Sequence, residues 1–395
     1  MMRLRPPCNC LRVKSRRLSW RGFRHKRICS VGFDCRGGAY ERRLMGKTLA
    51  PHRHVKSRNV ATRHPCLTQS LDWGLFRRSS CVFLLHSVVP MASHNIVHLK
   101  DALKSGKFVL TAEITPPVSC DSNDLLEKAL PLRGLADAVN VTDGAGARAH
   151  MDSLTAATIL LQNGIEPILQ LTCRDRNRLG LQAALMGAAA VGVRNLLALR
   201  GDDPKFGDQP DTKPVFDIDA RGLLLTAARM RDAQELPSGK KVGGKPDFFL
   251  GAADAPIDPA PDWKPVSLKG KVEAGARFAQ TQFCMDAGVL RRYTERLTEE
   301  GILPELAMIV GVVPFRSGKS ARWIKNKLFG AIVPDAMIER MDTASDPIAE
   351  GKAILGDYLL EISEIPGVVG AHIMAPNNDD AVPDVITEFR KRKGK

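Results

Sequence analysis

Eight short apolar runs alternate with longer stretches of helical period from Phe108 onward, and no other feature restricts the fold as much. The first four are VLTAEIT (109–115), AVNVTD (138–143), PILQLTC (167–173) and NLLALRG (195–201). FFLGAAD (248–254), FAQTQFC (278–284), AMIVGVV (307–313) and VGAHIMA (369–375) complete the set. Each has the length of a strand and is bounded by Gly, Pro, Asn or Asp. Between them lie segments such as Leu125–Leu135, Leu154–Asn163, Leu179–Val191, Leu223–Gln234 and Ala287–Glu300. Their apolar residues recur at three and four, the stripe of a helix laid on a sheet. Asp121 and Asp152 stand where N-caps belong, and Gly164 and Gly301 where helices should stop.

Eight strand–helix units in residues 109–395 predict an α/β protein, a single (β/α)8 TIM barrel. A doubly wound open sheet is the structural rival. The placement of polar residues favours closure. Glu113, Thr142 with Asp143, Gln170 with Thr172, Arg200 with Asp202, and Gln282 all fall late in their runs or just past them. In a closed barrel those ends converge on one face, where barrel active sites lie. Any one of them alone could be a capping group; five in succession point to one site.

The basic charge does not belong to this body. Residues 1–90 hold 20 of the 58 Lys and Arg but only three of the 43 acids (Asp34, Glu41 and Asp72), so residues 91–395 are close to neutral. Six of the nine cysteines also lie in this leader, leaving Cys120, Cys173 and Cys284 in the body. Three unevenly spaced thiols form no disulfide framework, and a reducing, cytoplasmic setting is expected. The leader reads as a targeting peptide, a basic arm, or upstream sequence read through before a natural start at Met91. The last is taken as the expectation, with 1–90 unstructured or outside the native protein and 91–395 the barrel domain. Aromatic interleaving and an amphipathic face are missing, so neither nucleic acid nor membrane is expected as a partner.

Three motifs are set aside. Gly144-Ala-Gly146-Ala-Arg-Ala149 satisfies G-x-G-x-x-A, and Glu166 follows about twenty residues on. Glu166, however, precedes the next strand, whereas a ribose-binding acid must follow it. The turn could still offer backbone N–H groups to a phosphate. Ser317-Gly318-Lys319-Ser320 imitates the end of a phosphate-binding loop, but Gly311 is two residues too far upstream. His94, His98, His150 and His372 are dispersed, so no metal is expected.

Seven segments, in order, resemble the flavin-dependent methylenetetrahydrofolate reductases over residues 95–392. They are TAEITPP (111–117), NVTDGAG (140–146), LQLTCRDRNR (169–178), LLALRGDDP (196–204), KPVFDIDA (213–220), KVEAGARFAQTQFCMD (271–286) and GVVP (311–314). The resemblance implies FAD at the C-terminal face and reduction of 5,10-methylenetetrahydrofolate to 5-methyltetrahydrofolate, an oxidoreductase step of one-carbon and methionine metabolism. It makes Glu113 the acid that protonates the substrate and Asp202 the carboxylate between flavin and folate. Gln282 becomes the amide that binds the pterin. For FAD it carries over Thr142, Gln170, Thr172, Arg200, Gly201, Asp202, Phe216 and Lys271. A partly desolvated carboxyl suits proton delivery near neutral pH, and Arg and Lys suit a diphosphate.

Some positions depart from the family pattern. Many members carry His where this chain has Gln170, tyrosine near Thr142-Asp143, and a tyrosine-containing loop in place of Ala252-Ala253-Asp254. These departures resemble a subgroup in which some reductases work with a partner subunit. The expected electron donor is therefore NADH, NADPH or a protein, and a homo-oligomer is expected. Two rival functions remain: a flavin-free pterin-binding barrel that transfers methyl to a corrinoid, and a non-catalytic folate- or flavin-binding homologue.

Overall fold

The computed structural model describes residues 96–394, and the expectations for residues 1–90 lie outside them. A six-residue helix, α1 (Leu99–Lys104), leads into β1 (Val109–Ile114), α2 (Ser122–Ala129), β2 (Ala138–Val141) and α3 (Ser153–Gln162). Next come β3 (Pro167–Thr172), α4 (Arg178–Ala190), β4 (Asn195–Leu199) and α5 (Ala220–Ala233). The chain continues through β5 (Phe249–Asp254), α6 (Val266–Glu273), β6 (Phe278–Phe283), α7 (Ala287–Glu299) and β7 (Ala307–Val312). Three helices, α8 (Gly318–Lys327), α9 (Asp335–Thr343) and α10 (Pro347–Ile362), precede β8 (Val368–Ile373) and α11 (Ala381–Lys393). All eight strands are parallel and paired in sequence order, and β8 closes on β1. The open-sheet rival is excluded.

The local signals act as their chemistry requires. Asp121 accepts from the Asn123 amide and Asp152 from the Thr155 amide, each satisfying a free N–H of a first helical turn. Gly164 and Gly301 follow α3 and α7 with φ of 75° and 70°, where a side chain would be strained. Helix α2 is shorter than its apolar pattern, because Pro131 lacks the N–H to continue it and the chain tightens into a 3₁₀ turn. Ser317-Gly318-Lys319-Ser320 proves to be a helix start: Ser317 and Ser320 form a reciprocal capping box on α8.

Strand periodicity sorts side chains into two sets. Leu110, Ala112, Val139, Leu169, Leu171, Leu196 and Ala198 face the helices in the main core. The alternate residues fill the barrel. At its floor Val109, Ala138, Ile168, Leu197, Phe278 and Ile309 pack under Leu99 of α1, which stoppers the bottom. Phe278 occupies the space beside Gly251, where an added Cβ would lie 2.1 Å from the ring, so only glycine fits. Glu166 belongs to this floor, accepting from Asn195 Nδ2 at 2.8 Å beside His98 at 3.1 Å. Its carboxylate is committed to these contacts at the end of the barrel opposite the mouth.

Candidate active site

Above the apolar floor the same inward rows turn polar. Asn140 and Gln280 exchange two hydrogen bonds across the barrel, at 2.6 and 2.9 Å. Gln280 Nε2 also donates to Thr111 Oγ1 at 3.1 Å, and Thr111 Oγ1 lies 3.0 Å from His372 Nδ1. The Thr111 hydroxyl also lies within donating distance of the Ala371 carbonyl, at 3.5 Å, and on the other side of the ring His372 Nε2 is 3.5 Å from Glu113 Oε2. All four residues below Glu113 are buried, so the network is a rigid support.

One further step along β1 brings Glu113 to the mouth, half-buried. Its Oε2 accepts from Gln170 Nε2 at 2.8 Å. Glu113 lies on the boundary of two cavities. One, of about 780 Å³, spans the ends of β2 to β6 and is walled by Thr142, Gln170, Arg200, Asp202, Lys271 and Gln282. Thr172 and Gly201 also line it. The other, of about 790 Å³, opens between α2 and the loop after β8, with Lys128, Arg316, Lys352 and Asp379 in its wall. Burial, chiefly, raises the Asp379 carboxyl above the usual range; Lys128 works against this, and Asp380 and Glu113 add to it.

The cofactor residues implied by the resemblance differ in how they are engaged. Thr142 Oγ1 is buried and has no hydrogen-bond partner among the described residues, which is uncommon for a buried polar atom. Thr172 donates its hydroxyl to Asp143 Oδ2 at 2.9 Å. Asp143 is buried and also takes Ser153 Oγ, the Thr172 amide and two bonds from Arg176. It clamps the loops after β2 and β3 and is not free for a ligand. Gly201 has φ of 90°, and a Cβ there would lie 2.9 Å from the Arg174 Cβ and 3.0 Å from the Thr172 Cβ.

Arg200 holds its guanidinium carbon 4.9 Å from the centre of the Phe216 ring. Phe216, with φ of 41°, lies beneath Arg200 and is not part of the cavity wall. Lys271 Nζ donates to the Ala253 carbonyl at 2.8 Å. Asp202 Oδ2 accepts the Gly146 amide at 3.0 Å, so one N–H of the glycine turn serves this carboxylate. Gln282 lines the opposite side, its Nε2 3.3 Å from the Phe329 carbonyl.

Several residues here escaped the sequence reading. His372 was discounted as dispersed. Tyr293 Oη donates to Asp254 Oδ2 at 2.7 Å inside the first cavity. Burial raises the Asp254 carboxyl despite the opposing pull of Tyr293 and Lys271, and burial beside Asp254 raises the Tyr293 phenol. Phe329 stands at the lip, 95% exposed. Its exposure, unusual for an aromatic in a loop after a helix, is the one signal that singles it out. Among the described residues no three His, Cys, Asp or Glu side chains are grouped to hold a metal.

The closed barrel thus gathers the carboxyls of Glu113 and Asp202, two amides and two cations at its C-terminal mouth, the face where barrel active sites lie. The chain belongs to the methylenetetrahydrofolate reductase family, whose profile matches residues 98–390. It is 30% identical over 223 residues to the 5,10-methylenetetrahydrofolate reductase of Pectobacterium carotovorum subsp. carotovorum, covering 54% of this chain and 66% of that one. With the Salmonella typhimurium reductase it shares 31% over 186 residues, 47% of this chain and 56% of the relative. The matches thus span less than two thirds of these relatives. Among solved structures, a Clostridium thermocellum protein described as binding two copies of 5-methyl-5,6,7,8-tetrahydrofolic acid has the same fold, with TM-score 0.51 and 14% identity. That match covers 74% of this chain and 99% of the other.

Proposed function

We propose that this protein reduces 5,10-methylenetetrahydrofolate to 5-methyltetrahydrofolate with FAD held in the barrel mouth. The observation that carries the reading is the gathering of Glu113, Asp202, Gln282, Arg200 and Lys271 around one cavity at the barrel mouth. Thr142 lies in the same wall with a buried hydroxyl that has no partner among the described residues, and a turn about its Cα–Cβ bond would offer that hydroxyl to a cofactor's polar edge. Arg200 and Lys271 reach the same cavity and would neutralise a diphosphate, and Gly201 lets the backbone come close. Phe216 acts through Arg200, holding the guanidinium in place. Bound FAD would supply the hydride that the substrate's methylene carbon accepts.

The protein's own residues supply the rest. Glu113 gives a proton to the bridging nitrogen, whose bond to the methylene carbon then breaks with its electron pair onto nitrogen. The carbon, now doubly bonded to the other nitrogen as an iminium, is ready for reduction. Asp202 exchanges its contact with the Gly146 amide for the amino edge of the pterin. Gln282 gives up a long 3.3 Å bond to Phe329 for the same ring. The second cavity, on the far side of Glu113, receives the remainder of the folate.

Among the described residues Cys120, Cys173 and Cys284 are free thiols, as a reducing setting would keep them. No helix among the described residues is long and apolar enough to cross a membrane. The purified protein should be yellow. Its flavin should bleach anaerobically with NADH, NADPH or an electron-donating partner subunit, and recover on adding methylenetetrahydrofolate. A colourless protein that transfers methyl from methyltetrahydrofolate would replace this reading with the flavin-free one.

A further inference from the structure

The carboxyl group of Glu113 is held asymmetrically. Oε2 accepts from Gln170 Nε2 at 2.8 Å and lies 3.5 Å from His372 Nε2, whereas Oε1 has no hydrogen-bond partner among the described residues. We propose that Gln170 is a positioning residue that selects Oε1 of Glu113 as the oxygen that carries and delivers the proton. The proposal rests on the reading of Glu113 as the reductase acid, and it gives Gln170 a role separate from contact with the cofactor.

A carboxyl oxygen that already accepts a short N–H bond behaves as the carbonyl oxygen, so the acidic proton resides on the other one. Gln170 is buried on the inner row of β3, in a strand paired on both sides, so its amide cannot move far. It does not ionise, and its donor is therefore present at every pH. A cationic donor in its place would hold Glu113 ionised and leave it no proton to give. An apolar residue would leave the carboxylate formed after transfer without support. The amide lies between these extremes. As the proton leaves Oε1 for the substrate nitrogen, charge grows on the carboxyl, and the Gln170 bond changes from neutral to charge-assisted. It is stronger after transfer than before, which favours the transfer itself.

The charged and titratable groups around Glu113 and the two cavities it borders are His372 of β8, Asp379 and Asp380 beyond it, Asp124, Glu127 and Lys128 of α2, Asp143 beyond β2, Arg174 beyond β3, and Arg200 and Asp202 beyond β4; Asp254 of β5, Lys264, Lys271 of α6, Tyr293 of α7, Arg316 beyond β7 and Lys352 of α10 complete them. They are the same in wild type and variant, so a difference between the two reports on Gln170.

The test uses enzyme reduced chemically under anaerobic conditions, mixed rapidly with methylenetetrahydrofolate across a pH series while flavin reoxidation is followed. Gln170→Leu keeps the size and removes the donor. Read on the flavin-loaded fraction, its reoxidation rate should fall about tenfold. Losing a donor to the ionised form disfavours that form, so the limb on which activity is lost with rising pH should move up by about one pH unit. Gln170→His, which restores an N–H donor, should recover most of the rate only at pH values where its imidazole is neutral. In a Glu113→Gln background Gln170→Leu should cost nothing further. Independently of turnover, the Glu113 carboxyl infrared band, assigned by difference against Glu113→Gln, should titrate at higher pH in Gln170→Leu. Gln170→Met serves as a second apolar variant if the leucine protein is unstable. An unmoved pH limb and band in an otherwise active enzyme overturns the positioning role alone, as does loss of flavin with a normal limb. A wild-type flavin that the folate does not reoxidise overturns the reductase reading and this proposal together.

Discussion

Replacing Glu113 by glutamine removes one proton from the mouth and almost nothing else. The side chains are isosteric, and the new carbonyl oxygen can still accept from Gln170 Nε2. With Glu113 carrying its proton on Oε1, the 2.8 Å bond from Gln170 is neutral before and after the change, so its loss is at most about 1 kcal/mol. The Glu113 side chain is 24% exposed, so water recovers part of it. Stability should therefore be nearly unchanged. Chemistry should not be. A positioned general acid contributes roughly 100- to 10,000-fold, about 2.7 to 5.4 kcal/mol of barrier. The two effects differ by enough to be separated in one preparation. Thermal unfolding and flavin absorbance should match wild type, and reduction by the electron donor should proceed. Reoxidation by methylenetetrahydrofolate, followed by anaerobic rapid mixing, should slow at least a hundredfold. Wild-type reoxidation in Glu113→Gln would remove Glu113 from the proton-delivery step and with it the argument built on the mouth.

Three further outcomes test other parts of the site. Thr142→Val deletes the unpartnered hydroxyl while keeping its volume; the flavin-free protein should melt no lower than wild type, yet FAD titration should show about tenfold weaker binding. Equal affinity would mean that the hydroxyl meets no ligand. Asp202→Asn removes a negative charge from the cavity and should leave FAD bound with a more positive midpoint potential, since reduced flavin carries negative charge; redox titration with an unshifted potential and full activity would contradict its placement. Asp254 has its carboxyl raised by burial, so its contribution to stability is greatest in acid and is lost as pH rises through the raised value. Asp254→Asn can still accept from Tyr293 and should gain stability over wild type at pH 8 but not at pH 4, as measured by urea unfolding; a gain confined to acid would reverse the sign and sink the argument.

Much of this geometry could be read from the chain because strand period does two tasks at once. On β1, Val109, Thr111 and Glu113 are successive inward residues, and they run from floor to amide layer to mouth. On β2 the series is Ala138, Asn140 and Thr142, and on β6 it is Phe278, Gln280 and Gln282. A polar residue late in an apolar run is thus legible as a mouth residue without any structure. What the alternation does not carry is which mouth residues touch. The stretch after β7 was equally silent: it holds three helices where one was expected, with Pro334 at the N-cap of α9 and Pro347 at the first position of α10, where a missing N–H costs nothing.

Contacts across the barrel follow only from closure. His372 and Glu113 are 259 positions apart, and they meet because β8 pairs with β1 in a register that sets His372 beside Thr111. Gln170 reaches Glu113 over the intervening strand β2, a reach that an open sheet with a flatter inner face would not give. A histidine and a glutamine that looked incidental in the chain are therefore brought to the same carboxyl oxygen by the geometry that makes the barrel a barrel. Beneath them the Asn140–Gln280 pair and Thr111 are buried and mutually satisfied, so the support cannot shift without breaking several bonds at once. The orientation of Glu113 is accordingly a property of the closed fold, set well below the loops that bind ligands. On the proposed function, changes in those loops can alter what enters the mouth while the direction of proton delivery stays fixed.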